Sequence, residues 1–566
     1  RKGRCYSYAS ASLSPLVEAI KTDARIAEDD RPEVMSAKLD ARIAELSNGV
    51  TSPVRHALRT LLDLPIETPP AQGELFEAWR LHLAAIARRY PLVFVAEDVH
   101  WADDVTLDFL EFVARWGDAP ITLVCVTRPE LLDRRETWGV GARNATRVEL
   151  APLESTETAS LVEQLLGEPL PEQLSTRVVE MANGNPLFTE ELIRMFIDQG
   201  VLQSRDGVWR LAGPVTELTV PDSVQAVLSA RLDALQAEEK RVAQEASVVG
   251  RIFWDVIVAH LRDRSAADVA DALRGMRLKE LVSPRVPSTM AGASEWSFHH
   301  VLVRDVAYES LPKADRAALH LQVASWARSE LAAREGEFAE LVASHMAAAL
   351  GYIVEIGDDQ VEGIGLRELR ATALEAAVRA ARRADAVRDL AAVRRWLTFA
   401  MEQARSLDRP ALERARLADE YDDLVWHESD SDERKQVFGD AVELLEPASE
   451  LTGEGLELWG RLMAALAQGT FDGGDTGAAV ETLRRATEVL RPTSPSQALA
   501  KVLQTTAWAR WHRYEFEAAD EAVKEALPEA RASGAEDVYR WALHEAGIVA
   551  GFRGDPERSM ELLRES

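Results

Sequence analysis

Basic charge is scarce in this 566-residue chain: Lys and Arg number 65 against 94 Asp and Glu, a formal net charge of −29. So acidic a chain repels phosphate backbones and anionic lipid on average, which argues against broad nucleic-acid or membrane-surface binding while leaving room for a local basic patch. Cysteine is nearly absent. Cys5 and Cys125 are too few for a disulfide framework, so a reducing cytoplasm is the expected compartment. No apolar run approaches the ~20 residues of a membrane helix, and no signal peptide is visible. No Gly-x-x-x-x-Gly-Lys-Ser/Thr occurs, so the chain lacks the glycine amides, lysine and hydroxyl that cradle phosphates at a helix N-terminus. What is present is ordinary globular material, 47% hydrophobic and 28% charged. The length predicts three or four domains of ~150 residues.

The first ninety residues read as helical, with helices at 15–26 and 74–89, where Leu75, Trp79, Leu83 and Ile86 recur at helical spacing. The run 92–96 is apolar throughout, which predicts a parallel strand buried on both faces, and Glu97 and Asp98 follow at once. A helical pattern at 103–115 and a second apolar run at 121–126 complete a βαβ unit. A third strand is expected at 147–150. Helices follow at 155–166, 172–182 and 188–198, then a hairpin of 201–203 with 208–211 around Asp206-Gly207. Pro221 is expected to open another helix, 236–272 to form a compact helical cluster, and 281–286 with 296–298 to be short β pieces. Helices followed by a hairpin resemble a winged-helix module.

Beyond about Ala317 the composition turns to Ala, Leu, Glu and Arg with no strand signal, and an internal repeat emerges. Ala479, Ala519 and Ser559 lie 40 residues apart in similar contexts, and Gly547 sits on the helix before the last copy. This is the pattern of helical hairpins related to tetratricopeptide repeats, in which small residues let paired helices approach. Ala400 and Ala441 are expected to mark earlier, poorer copies. The domains expected are a partial α/β core at 1–152, a helical subdomain with a hairpin at 153–220, a winged-helix-like module at 221–316 and an α-solenoid at 317–566.

Two carboxylates directly after a parallel strand sit at its carboxyl end, where such sheets bind ligands. Glu97 could hold Mg²⁺ there and Asp98 orient a water beside a phosphate, while Arg128, ending the next strand, could neutralise a terminal phosphate. Equally, Glu97 and Asp98 could be surface loop carboxylates, with Asp103 as a helix cap.

The string Leu92-Val-Phe-Val-Ala-Glu-Asp-Val-His-Trp-Ala-Asp103 resembles the Walker B segment of signal-transduction ATPases with numerous domains, the STAND branch of AAA+-like ATPases. It is most like the bacterial ATPase–repeat proteins joined to class III adenylate/guanylate cyclase or LuxR-type DNA-binding domains. In the resemblance Arg128 matches the sensor arginine. Gly184-Asn-Pro186 matches the Gly-x-Pro segment near the nucleotide base. His300 matches the histidine of the Met-His-Asp motif that contacts the ADP phosphate, with His299 in place of Met and Val301 in place of Asp. The stretch 219–233 looks more like the cyclase-linked members. In the same family a stretch resembling Gly3 to Ala19 follows shortly after the Walker A loop. The missing loop is therefore expected upstream of Arg1, the alternative being a degenerate ATPase, and the chain as written is expected to bind ATP poorly.

The resemblance implies a mainly α protein with an N-terminal P-loop-type α/β part, a winged-helix module and a tetratricopeptide-like solenoid. Its implied activity is an ATP/ADP-operated signalling switch using Asp98, Arg128, Pro186 and His300, with Mg²⁺ at Glu97. The solenoid would sense a protein or small ligand, the ATP state would self-associate, and a cyclase or DNA-binding effector would be controlled. Direct DNA binding by this chain and membrane attachment are not expected. Alternatives are a non-catalytic repeat scaffold with a degenerate ATPase, and the regulatory part of a cyclase or LuxR-type regulator. His100 and Trp101 read as structural, and Cys125 as a packing residue.

Overall fold

The computed structural model describes all residues except 6–11, 29, 47–51, 67–71, 141, 143, 168–169, 171, 206–207, 212–222, 263, 287, 291, 335 and 426–430. It divides into two units: residues 1–102 with 106–366, and residues 103–105 with 367–566.

The first unit opens on a parallel sheet of β1 (Lys2–Arg4), β2 (Leu92–Glu97) and β3 (Ile121–Cys125), in that order. Helices α1 (Ser14–Ala24), α2 (Pro32–Leu46), α3 (Ser52–Leu61) and α4 (Gln72–Arg89) lie between β1 and β2 in sequence; α5 (Asp104–Trp116) links β2 to β3, and α6 (Glu130–Arg134) follows. Strand β1 is a departure from the all-helical expectation for this region. Its Gly3 is required, because a Cβ there would lie 2.2 Å from the carbonyl oxygen of Pro15 at the start of α1. Phe94 and Ala96 of β2 pack with Ala19 of α1 and with Leu107 and Leu110 of α5. The opposite face is open, with Val93 50% and Val124 40% exposed. The strand expected to be buried on both faces is thus buried on one. An all-apolar run records what a strand can tolerate, and not which helices reach it. No strand forms at 147–150, where Val148 and Leu150 are exposed and no neighbour supplies a ladder.

Next come α7 (Ser155–Leu166), α8 (Glu172–Ala182), α9 (Pro186–Asp198) and an antiparallel hairpin of β4 (Leu202–Arg205) and β5 (Val208–Leu211), close to the expected positions. The turn Asp206-Gly207 and Pro221 fall outside the described residues. Then follow α10 (Val224–Asp233), α11 (Ala237–Val249), β6 (Ile252–Trp254), α12 (Asp255–His260), α13 (Ala266–Leu278), β7 (Val282–Arg285), β8 (Glu295–Phe298) and α14 (Val301–Glu309). Here β8 is the central strand of an antiparallel sheet ordered β6-β8-β7. Strand β6 interrupts the stretch expected to be helical; its Phe253 is fully buried against Phe298, with ring centroids 5.3 Å apart. Buried Arg231 of α10 pairs with buried Glu191 of α9 and donates to the Lys279 carbonyl at 2.6 Å, tying the two helical groups together.

Helices α15 (Lys313–Glu330) and α16 (Ala339–Ile356) belong to this unit by packing. Leu319 and Val323 share a buried cluster with Val248 and Leu261, and Arg334 and Glu337 form a part-buried ion-pair network with Lys21 and Glu28. Among the described residues α16 is long and apolar enough to cross a membrane by length and composition; in this structure it packs against α15.

The second unit is a helical repeat solenoid: α17 (Leu366–Ala386), α18 (Leu390–Ser406), α19 (Ala411–Val425), α20 (Ser431–Leu444), α21 (Glu454–Asp472), α22 (Thr476–Leu490), α23 (Gln497–His512), α24 (Phe516–Ser533), α25 (Glu536–Phe552) and α26 (Pro556–Glu565). From α18 onward each helix packs on the next, and α19, α21, α23 and α25 also touch in series. Ala479, Ala519 and Ser559 each stand three residues after the start of α22, α24 and α26. Ala400 and Ala441 are buried too, but each stands ten residues into its helix. Their counterparts are therefore Ala486 and Ala526.

Candidate functional site

The parallel strands carry their last residues to one edge. In register, Arg4 of β1 lies beside Glu97 of β2. Arg4 Nε donates to Glu97 Oε2 at 2.5 Å, and Lys2 Nζ lies 2.8 Å from Oε1. Burial alone would raise the Glu97 carboxyl, but these two cations outweigh it and hold it below the usual glutamate value. Both carboxylate oxygens therefore already face positive charge.

The chain then turns sharply. Asp98 adopts a left-handed backbone (φ 57°), a conformation that Asp tolerates better than most residues, and a single helical turn of Val99–Trp101 begins. The turn is pinned to the neighbouring strand by Val99 N–H donating to the Val126 carbonyl at 3.0 Å, and by Arg134 donating to the Ala102 carbonyl at 2.6 Å. Asp98 thus leaves the sheet edge, and its Oδ2 lies 3.3 Å from Nη1 of Arg251, the residue just before β6.

Arg128 follows β3 with its side chain exposed, its guanidinium 6.0 Å from the ring centre of Trp101. His100 packs on the same tryptophan, with ring centroids 4.5 Å apart and the rings tilted by 47°. Burial, with the nearby positive charge of Arg128, lowers the His100 pKa, and both ring nitrogens are buried without a hydrogen-bond partner. An imidazole carries at least one N–H, and a buried polar group left unsatisfied costs about 1–3 kcal/mol. His300 caps α14: its Nδ1 accepts from Leu302 N–H at 3.1 Å, which places the proton of the neutral ring on Nε2. Its pKa is lowered by burial and then by the charges of Arg251 and Arg128, with Asp98 opposing.

Asp98 and Arg128, which follow neighbouring strands, and His300, from a distant segment, therefore share one electrostatic neighbourhood. Pro186 is placed differently. It is an exposed first residue of α9, after Asn185 whose side chain caps that helix, and α9 packs on α7, α8 and α10. Gly184 has a local duty as well, since a Cβ there would lie 2.4 Å from the Leu153 carbonyl oxygen. Cys125 is inert, its thiol pushed up to about 12 by burial. Arg251 and His100 are the members of this neighbourhood to which the sequence assigns no ligand role. Nothing local marks Arg251, because its importance comes from a contact 153 residues away.

The donor set suits an anion. Arg128 is exposed and offers N–H groups, with the charges of Arg251 and Arg134 nearby, opposed by the carboxylates of Asp98 and Glu130. It suits a divalent cation less well: Mg²⁺ at Glu97 would have to displace Lys2 or Arg4, and no group of three or more His, Cys, Asp or Glu among the described residues is arranged to hold a metal.

Comparison with known proteins gives four matches. Residues 154–210, from α7 to the β4–β5 hairpin, match a family described as a domain of unknown function (DUF8739). An uncharacterized protein of Rhizobium meliloti (strain 1021) is 29% identical over 244 residues, which is 42% of this chain and 22% of that protein; the match spans under a quarter of the relative's length. Among solved structures, a STAND protein with a tetratricopeptide repeat sensor from Pyrococcus horikoshii aligns over 100% of this chain and 86% of its own, at 12% identity and a TM-score of 0.33. A circular tandem repeat protein aligns over 98% of this chain and 99% of its own at 16% identity and a TM-score of 0.17. Scores this low carry no argument about fold.

Proposed function

We propose that the chain is part of a cytoplasmic nucleotide-operated signalling switch, in which a nucleoside diphosphate or triphosphate binds at the carboxyl edge of the parallel sheet and the solenoid receives a protein or small-ligand signal. One observation carries this: Asp98, after β2, lies 3.3 Å from Arg251 of the α10–α14 module, 153 residues away, and His300 of that module feels the charges of Asp98 and Arg128, which follow neighbouring strands. Arg128 would hold a phosphate on the sheet side and the Nε2–H of His300 would meet it from the far side, so the ligand would bridge the sheet and the α10–α14 module. Asp98 would orient the attacking water if hydrolysis occurs. Pro186, exposed at the start of α9, would lie near the base. Mg²⁺ would supply charge neutralisation when bound, and Glu97 would hold it only by giving up Lys2 or Arg4. A ligand shifts such a switch only as far as its affinities for the two states differ.

The test is nucleotide binding and turnover in the full-length protein. Arg128→Ala should weaken ADP binding roughly tenfold or more, as loss of a charged hydrogen bond does, and Asp98→Asn should lower turnover. Unchanged binding and turnover in both variants would remove the reading. The alternative is a repeat scaffold in which the sheet is structural. It would be favoured if a protein lacking residues 1–220 kept full biological activity.

A further inference from the structure

We infer that the turn edge of the solenoid carries a docking strip for a proline-rich segment of a partner protein. The inference rests on the reading of the solenoid as the part that receives a signal, and it deepens that reading by naming the chemistry of the signal.

A row of rings runs across three successive hairpins. Phe471, near the end of α21, lies 4.8 Å from Trp508 of α23 between ring centroids, and His512 lies 4.7 Å from Trp508 and 3.6 Å from Trp511. Trp511 faces Phe552, at the end of α25, at 6.4 Å, and Phe552 stacks on Phe516 of α24 at 4.9 Å. Tyr514, in the turn between α23 and α24, meets Phe516 edge-on at 6.2 Å. These are not core rings: Tyr514 is 78% and Phe552 59% exposed, His512 is exposed, and the others are half-buried. Trp511 is held in place by donating to buried Glu545.

Tyr514 marks the strip as more than surplus apolar surface. Its φ is 61°, and the turns 40 residues before and after it place Gly474 and Gly554 at the same point, with φ 92° and 86°. Glycine adopts that backbone freely, whereas a bulky residue is strained there. Strain kept at an exposed position points to a use for the side chain.

The groups left open on the strip select its occupant. The Trp508 indole N–H and the Tyr514 hydroxyl make no hydrogen bond to a described residue. A polyproline II segment has no internal hydrogen bonds, so its carbonyls are open to such donors, while its rings lie against aromatic faces and its preset shape loses little entropy on docking. Among the charged neighbours, Glu515 pairs with both Arg510 and Arg513, and Asp520 with both Lys524 and Arg553. Ring stacking and the open donors, not ion pairing, therefore supply the recognition.

The experiment is calorimetric titration of the full-length protein with decaproline, with a Gly/Ser peptide of the same length and with maltohexaose. Decaproline should bind at least roughly tenfold more tightly than the Gly/Ser peptide, and raising salt from about 0.05 to about 0.5 M should change its affinity by no more than about twofold. Tyr514→Gly supplies the residue of the neighbouring turns, so it should keep the thermal midpoint and weaken decaproline binding roughly tenfold. Trp508→Phe keeps a ring and loses the N–H, and it should weaken binding roughly threefold or more. Decaproline bound no better than the Gly/Ser peptide, or equally well by both variants, would overturn the inference. Tighter binding of maltohexaose would assign the strip to a sugar and overturn it as well. Either result leaves nucleotide binding and the effect of Arg128→Ala unchanged, so the nucleotide switch stands or falls separately.

Discussion

Glu545 sits almost wholly buried on α25, accepting a hydrogen bond from the Trp511 indole, and burial raises its carboxyl to about 7 despite Trp511 and Gln504. A carboxylic acid whose pKa is higher folded than unfolded keeps its proton in the native state. Its stabilising effect is therefore greatest near and below pH 4.5 and is lost as pH rises towards and through 7. Glu545→Gln keeps an acceptor for the indole and removes the charge. It should raise the urea midpoint of the solenoid at pH 8, by about 1–3 kcal/mol of stability, and change little at pH 5; equal effects at the two pH values would show that Glu545 is ionised throughout. At this scale the sequence told most about residues whose role is local. The acid doublet after an apolar strand and the arginine after the next were legible from order alone. The partners of Glu97, and the contact between Asp98 and Arg251, were not, because each depends on which strand or module folds alongside.

Elements were legible where their pattern repeats. The 40-residue spacing of small residues marked α22, α24 and α26, and the structure shows why small side chains stand there. At Gly547 of α25 a Cβ would lie 2.7 Å from Leu563 Cγ of α26. Gly547→Ala should therefore destabilise the last hairpin by about 1–3 kcal/mol through overpacking, against the small helix-propensity gain of alanine. Thermal unfolding followed by circular dichroism measures it, and a stabilised variant would mean that α26 shifts freely. Short elements were less legible. Strands β1 and β6 have three residues each, too few to display a period, and they exist because neighbouring strands offer a ladder. The segment 147–150 carries strand-like residues and has no such neighbour. Ala400 and Ala441 show the remaining ambiguity. In α22 and α24 alanine stands at two positions, three and ten residues in, whereas α18 and α20 carry Val393 and Arg434 at the first, so the alanines alone do not tell which position is aligned.

As a whole the molecule divides into two units. The solenoid is built from nearest-neighbour contacts, so its stability is expected to grow by increments with each hairpin. Removing residues 536–566, which carry α25 and α26, should lower the solenoid's denaturation midpoint while leaving the rest of it and the first unit folded. Hydrogen exchange resolved along the chain would report this, and loss of protection throughout 367–535 would contradict it. The first unit joins distant segments instead: Lys21 with Glu337, Glu191 with Arg231, and Asp98 with Arg251. The sequence by itself determined the mainly helical class, the repeat period and the positions of the strand-end acids and arginine, since these follow from local periodicity and residue order. Tertiary structure alone decided which face of the parallel sheet is covered, that α15 and α16 pack with the first unit, and that Arg251 meets Asp98. Those outcomes depend on pairing between groups far apart in the chain, and the spacing of residues along a chain holds no record of which distant surface will come to lie beside it.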